Sequence, residues 1–224
     1  MQKRSAAKML SRRCTDKWAR LAVVLTALAI AGCGGSTAVK RSDESRPSAA
    51  STPELAAMVP PAALTMFEQA AASMASGDFL EAELRFKEFL MQYPGYPGAY
   101  VNLAIIHAGN GNDPAARDAI DAALAIEPNH PAALNQLGML LRRNGNFPEA
   151  EAAYLKAVTV SPEYALAHYN LGVLNDLYLQ RLDVAIQHFE TYQSLVGEDE
   201  QVAKWITDLT RRLAASQRTA NAAE

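Results

Sequence analysis

The chain contains little of the chemistry that enzymes and metal proteins use. It has two cysteines and four histidines in 224 residues. The histidines are His107, His130, His168 and His188, and no two of them have the i, i+4 spacing of a metal site on a helix. No glycine-rich phosphate loop or Gly-x-Ser-x-Gly nucleophile motif is present. The sequence therefore predicts no metal, no cofactor and no catalytic residue.

The chain also lacks a long hydrophobic run. Its longest apolar stretch, 21–31, is shorter than the roughly 20 residues that a membrane-spanning helix needs. Seven basic residues precede this stretch: Lys3, Arg4, Lys8, Arg12, Arg13, Lys17 and Arg20. The combination predicts a secretory signal peptide over residues 1–32, and the alternative is an uncleaved membrane anchor.

The apolar stretch ends in Ile30-Ala31-Gly32-Cys33, which resembles a bacterial lipobox. The resemblance implies that Cys33 becomes the lipidated first residue of a cell-envelope protein. The next residue is Gly34 and not the aspartate that signals inner-membrane retention in enteric bacteria, which implies the periplasmic face of the outer membrane. Residues 33–60 are small, polar or charged with few bulky apolar side chains, so they predict a flexible linker.

Cleavage after residue 32 would change the net charge. The whole chain carries 21 Lys and Arg against 24 Asp and Glu, and the first 32 residues hold seven of the former and one of the latter. Residues 33–224 therefore carry 14 basic and 23 acidic residues, a net charge of −9. Such an acidic chain argues against binding to nucleic acid or to anionic lipid headgroups.

Several residues recur at a spacing of 34. They are Gly77, Gly111 and Gly145; Ala82, Ala116 and Ala150; Pro94, Pro128 and Pro162; and Leu103, Leu137 and Leu171. A fixed period of this length is typical of a solenoid, in which small units stack to share one core.

Each unit has the pattern of two helices. In the third unit, Leu134 and Leu141 lie at helical spacing, 144–146 is rich in Asn and Gly, and Ala150 and Tyr154 begin a second apolar stripe. His107 and His168 occupy positions where other units favour a packing side chain, so we expect them to be packing residues and not ligands. The pattern predicts an all-α fold of stacked helix-turn-helix units.

These residues resemble the tetratricopeptide repeat, whose pattern is Trp-x2-Leu-Gly-x2-Tyr, then Ala-x3-Phe, then Pro. The resemblance implies four units over 61–198, a C-terminal capping helix over 199–215 and a disordered tail over 216–224. The units are 63–96, 97–130, 131–164 and 165–198. Because Ala185 follows Ala150 by 35 residues, the turn within the fourth unit should be one residue longer.

Tetratricopeptide repeats hold peptides in a concave groove lined by the first helix of each unit. The resemblance therefore implies a peptide or protein partner in the cell envelope. The positions that would line this groove are Val101, Ile105, Ala108, Asn135, Met139, Arg142, Arg143, Tyr169, Val173, Asp176 and Leu177. Asn135 and Tyr169 would bind an extended backbone, and Arg142 would bind a carboxylate. Alternatively, Arg142 and Arg143 are ordinary solvated charges at a helix end.

Three kinds of envelope partner stay open. The stretches 168–174 and 201–209 resemble small repeat proteins that serve as accessory components of TonB systems. A second resemblance is to the type IV pilus pilotins, outer-membrane lipoproteins of the same repeat class with more units. An adaptor or regulator of a cell-wall enzyme would use the same groove.

Overall fold

The computed structural model describes residues 60–221, and within this range it contains nine α-helices and no strand. The helices are α1 (Pro61–Ala75), α2 (Phe79–Gln92), α3 (Pro97–Gly109), α4 (Asp113–Ile126), α5 (Pro131–Arg143), α6 (Phe147–Val160), α7 (Ala165–Leu174), α8 (Leu182–Val196) and α9 (Glu200–Asn221). Helices α1 to α8 form four successive pairs, and the predicted all-α solenoid is confirmed.

Local sequence signals set where the helices begin and turn. The side chains of Asp78 and Asn112 accept hydrogen bonds from backbone N–H groups three residues later, at 3.1 and 3.2 Å, and so cap α2 and α4. Gly77, Gly111 and Gly145 have φ of +85°, +74° and +82°, a left-handed conformation that glycine adopts at low cost. One glycine therefore makes the same tight turn in each of the first three pairs.

The core lies between neighbouring helices along the array. Each second helix packs against the first helix of its own unit and against the first helix of the next unit. Ala99, Ala133 and Ala167, which are 34 residues apart, are fully buried near the start of α3, α5 and α7. Small side chains at this position let the helices of adjacent units approach closely.

Two glycines lie against aromatic rings. A Cβ added to Gly138 would lie 2.5 Å from the ring of Tyr154, and one added to Gly172 would lie 2.6 Å from the ring of Phe189. Both rings are fully or almost fully buried. In the third and fourth units, therefore, the ring of the second helix packs directly on the backbone of the first helix.

The extra residue of the fourth unit widens a helical turn. After α7 the chain makes a π-helical segment, Asn175–Leu179, and then Gln180 takes the left-handed conformation with φ of 55°. The buried side chain of Asn175 donates a hydrogen bond to the Leu171 carbonyl at 2.9 Å. The longer turn predicted from the 35-residue spacing thus begins inside the first helix of the unit.

Helix α9 covers the end of the array. Val202 and Leu209 are each 1% exposed, and Trp205 packs on Phe189 with ring centroids 5.6 Å apart. The helix continues to Asn221, so the prediction of a disordered tail is wrong for residues 216–221. The side chains of residues 215–221 are exposed, which explains why the apolar pattern gave no sign of this extension.

The predictions for the N-terminus lie outside the described residues. They are the signal peptide over 1–32, lipidation of Cys33 and the linker up to residue 59. Between residues 60 and 221, no helix is both long enough and apolar enough to cross a membrane.

Candidate ligand-binding pocket

A cavity of about 290 Å³ lies between the second and third units. It is lined by Ala104 and Ala108 of α3, Ala116 and Ile120 of α4, Gln136, Met139, Leu140, Arg142 and Arg143 of α5, and Tyr178 of the π-helical segment. Its volume lies just below the range of about 300–1,000 Å³ for small-molecule sites. A cavity of this size fits one side chain better than a cofactor.

The floor of this pocket coincides with an irregularity in the repeat. Phe86, Ile120, Tyr154 and Phe189 occupy equivalent positions, spaced 34, 34 and 35 residues apart. Three of the four are aromatic, and all four are at most 1% exposed. Only the second unit has an aliphatic residue here, and that residue lines the pocket.

The neighbours of Ile120 are also equivalent to residues that contact a ring elsewhere. Ala104 corresponds to Gly138, on which the Tyr154 ring packs in the third unit. Ala116 corresponds to Ala150, which belongs to the same buried cluster as Tyr154. Ala104 has a Cβ where Gly138 has none, but the first unit combines Ala70 at this position with the buried ring of Phe86. An alanine here is therefore compatible with a ring, and isoleucine has less side-chain volume than the aromatic residues of the other units.

Arg142 and Tyr178 form one side of the pocket. The guanidinium carbon of Arg142 lies 6.0 Å from the centroid of the Tyr178 ring, and this ring packs on Phe147 with centroids 4.5 Å apart. Tyr178 reaches this place because of the π-helical segment. Arg142 makes no ion pair with any residue in 60–221, and its buried Nε has no hydrogen-bond partner in that range.

Tyr154 lies close to the same arginine. Burial raises the pKa of Tyr154 to about 12, and the positive charge of Arg142 opposes this rise. A polar contact between Arg142 and the phenol opposes the rise as well. The phenol oxygen and Arg142 Nε are both buried, and neither makes a hydrogen bond of good geometry with any group in residues 60–221. Tyr154 is thus a neutral packing residue below the pocket, and Arg142 is the cation that can meet a ligand.

Arg143 has a different role from Arg142. It donates a hydrogen bond to the Ala108 carbonyl at 2.8 Å and forms an ion pair with Asp113. These contacts join the end of α5 to the turn between α3 and α4. Arg143 therefore links the two units, while its side chain stays 42% exposed and also lines the pocket.

Two predicted groove residues are buried and cannot line an open groove. Val101 is 5% exposed and packs with Ala123 and Ala133, where α3 meets the next unit. Asn135 is 1% exposed, and its Oδ1 accepts a hydrogen bond from Asn170 Nδ2 at 2.9 Å. These predictions are wrong because the first helices of adjacent units contact each other along this face.

The groove predicted in the fourth unit is covered by α8 and α9. Tyr169 and Val173 pack in the cluster that contains Phe189 and Trp205. Asp176 forms an ion pair with Arg212 of α9 at 2.8 Å. Tyr169, Val173 and Asp176 therefore hold the terminal helix in place and do not form an open surface.

The structure brings only part of the predicted groove to one site. Of the predicted residues, the pocket is lined by Ala108, Met139, Arg142 and Arg143. Ile105 is half-buried beside the Val101 cluster, and Leu177 is exposed. The predicted set did not include Ile120, Gln136 and Tyr178, which also line it. Ile120 could have been identified from the sequence, because the other three units have an aromatic residue at the equivalent position.

A pair of histidines lies elsewhere, between α7 and α8. His168 Nδ1 lies 3.1 Å from His188 Nδ1, and His168 Nε2 lies 3.0 Å from the Pro162 carbonyl. Because a carbonyl only accepts, His168 carries its proton on Nε2 and accepts from His188. Burial is the main cause that lowers the pKa of His188 to about 4, and electrostatic repulsion between the two rings when both are protonated adds to it. The pair joins the two helices of the unit.

Two family models, both described as tetratricopeptide repeat, match residues 73–140 and 135–200. Together they cover more than half of the chain. The chain belongs to the tetratricopeptide repeat family, whose members bind peptides or proteins on stacked helix pairs. No curated protein matches it in sequence.

Solved structures share this fold. The chain is 22% identical to PilF of Pseudomonas aeruginosa, with a TM-score of 0.62, and the match covers 69% of this chain and 70% of PilF. It is 21% identical to MamA of Desulfovibrio magneticus RS-1, with a TM-score of 0.56 and coverage of 71% and 89%. It is 19% identical to the first repeat domain of Spaghetti (RPAP3) bound to the HSP90 peptide SRMEEVD, with a TM-score of 0.50 and coverage of 53% and 95%. At these identities the similarity shows the fold alone.

Proposed function

We propose that this protein is a non-enzymatic interaction scaffold of the bacterial cell envelope, anchored to the outer membrane by lipid on Cys33. The observation that carries the binding role is the pocket between the second and third units, lined by Arg142, which forms no ion pair with any residue in 60–221. The peptide held by the similar repeat domain of Spaghetti supports the same use of the fold. The lipobox-like segment before Cys33 supports the location.

Within this proposal, an accessory role in a TonB transport system is the first candidate. The two stretches that resemble TonB-associated repeat proteins lie in α7 and α9. Residues of these stretches contact each other, since Tyr169 and Trp205 have ring centroids 6.0 Å apart. The two stretches that carry this resemblance therefore meet at the end of the array that α9 covers.

A pilotin-like assembly factor for a type IV pilus is the second candidate. Its support is the similarity in fold to PilF of Pseudomonas aeruginosa. A regulator of a cell-wall enzyme is a third candidate, of a different class. The pocket is compatible with each of them, so identification of the partner decides between them.

The test is in-cell crosslinking followed by affinity capture and mass spectrometry. Lipidation predicts that Cys33→Ala releases the protein from membrane fractions, whereas Cys14→Ala, in the segment predicted to be removed, does not. Enrichment of TonB, its motor or its receptors would support the first candidate, and a secretin or pilus subunit the second. Continued sedimentation of Cys33→Ala with membranes would exclude the lipid anchor.

A further inference from the structure

We propose that the pocket between the second and third units binds an aromatic side chain of a partner protein, presented in an extended segment beside a carboxylate. This inference rests on the proposed function and specifies its ligand. The partner's ring would enter the pocket against Met139 and Tyr178, which are two of its exposed lining residues. The buried Ile120 lies behind them, at the position where the other three units carry a ring of their own.

The shape argument comes from the comparison of the four units. Phe86, Tyr154 and Phe189 are buried at the position of Ile120, and each ring contacts the first helix or the core of its own unit. The second unit keeps the small residues around this position but replaces the ring with a branched aliphatic side chain. Burial of a ring from outside would restore apolar contacts that the other units already make.

The charge argument comes from Arg142. Its guanidinium lies over the ring of Tyr178, makes no ion pair with any residue from 60 to 221, and belongs to a side chain that lines the pocket. Its Nε is buried near the Tyr154 phenol, so a ligand would meet the terminal nitrogens. A carboxylate next to the incoming ring would supply a charge and an acceptor together. Arg143 would not compete for this carboxylate, because it is already paired with Asp113.

The occupant comes from another protein and not from the chain's own linker. Residues 34–59 contain no phenylalanine, tyrosine or tryptophan. A linker segment therefore cannot provide the ring. Met139, which is 37% exposed at the pocket, adds a flexible apolar contact that adapts to rings of different sizes.

The first experiment uses N-acetyl-L-phenylalanine, which carries a ring and a carboxylate, as the probe. We expect it to shift the methyl NMR signals of Ile120 and Met139 in the purified full-length protein, in a saturable way. N-acetyl-L-phenylalanine amide, which lacks the carboxylate, should bind about tenfold more weakly, and Arg142→Gln should weaken the acid by a similar factor. N-acetyl-L-alanine should cause no such shift.

Matched variants separate the pocket from general effects. Ile120→Phe fills the pocket with the ring found in the other units and should abolish binding of the probe, and Ala108→Leu should narrow the pocket from α3 and weaken binding. Ile126→Phe makes the same change at an exposed position of the same helix and should leave binding unchanged. Circular dichroism confirms that each variant is folded. Absence of a saturable shift, or equal binding by folded Ile120→Phe, would overturn the proposal.

The same variants distinguish this inference from the scaffold function. If crosslinked partners are captured equally by the original protein and by Ile120→Phe, the pocket is not their binding site, although the scaffold role stands. If the original protein captures no envelope partner, the scaffold role fails, while the NMR titration still decides whether the pocket takes a ring. If the original protein crosslinks to a second copy of itself and Ile120→Phe does not, the occupant of the pocket is that second copy. This result would overturn the proposal that the ring comes from a different protein.

Discussion

Replacement of Gly138 by alanine would place a methyl group against a ring that cannot move away easily. The added Cβ would lie 2.5, 2.6 and 2.8 Å from three carbons of the Tyr154 ring, and this ring is fully buried. Overpacking of this kind costs about 1–3 kcal/mol, while alanine gains about 0.5–1 kcal/mol over glycine within a helix. We expect a net loss of about 1–2 kcal/mol in the free energy of unfolding.

The second unit shows how the loss can be relieved. It has Ala104 and Ile120 at the positions of Gly138 and Tyr154. Tyr154→Ile alone should destabilise the protein by about 1–3 kcal/mol because it leaves a cavity. In the Tyr154→Ile background, however, Gly138→Ala should cost nothing further, so the double-mutant cycle should give a coupling of about 1–2 kcal/mol.

Thermal melting followed by circular dichroism measures this cycle. For a domain of this size, 1 kcal/mol corresponds to roughly 2–4 °C in Tm. The control is Gly109→Ala, because an added Cβ there meets no atom within 4 Å and Tm should not fall. An unchanged Tm for Gly138→Ala, or the same loss in the Tyr154→Ile background, would refute the close approach of α5 to α6.

Three further outcomes are expected. Truncation after Glu198 removes α9 and should expose the apolar surface that it covers, giving aggregation in size-exclusion chromatography. Truncation after Ala215 should behave as the full chain, because the side chains of residues 216–221 are all exposed. The folded pKa of His188, about 4, lies below its ordinary value of 6.5, so the unfolded chain binds more protons and Tm should fall as the pH drops from about 6.5 towards 4. His188→Gln should reduce this fall in Tm, and His107→Gln should not. An equal fall in the original protein and in both variants would contradict the assignment of the lowered pKa to His188. Gln180→Gly should raise stability by about 0.5–1 kcal/mol in urea denaturation, because glycine adopts the left-handed conformation without strain, and a loss would show that the side chain matters more than the backbone.

The fold was predictable because its signals are local and repeated. Asp78 and Asn112 cap helices, Gly111 and Gly145 make left-handed turns, and the 34-residue spacing places each signal at the same point of every unit. The spacing from Ala150 to Ala185 also indicated the longer fourth unit. The π-helical geometry of that insertion was not predictable, since a count of residues does not show which turn takes up the extra one.

The candidate site was predictable only in part, because the groove residues were predicted as if the first helices of all units had the same surroundings. Val101 and Asn135 are buried by contacts with a neighbouring unit, and Asp176 is paired with an arginine 36 residues later in the chain. Contacts between distant residues leave no trace in a periodic pattern. The identity of Ile120 was visible in the sequence, but its meaning depends on how tightly the rings of the other units are packed.

Helix α9 also determines how copies of the protein can meet. A stack of identical units ends in a face that matches the beginning of another stack, and contacts of this head-to-tail kind continue into filaments when they do not close into a ring. In α9 the buried side of the helix, with Val202 and Leu209, faces the fourth unit, while Lys204 and Arg211 are exposed. The terminal helix therefore places charged side chains where a further unit would have to dock, which disfavours head-to-tail stacking at this end of the array.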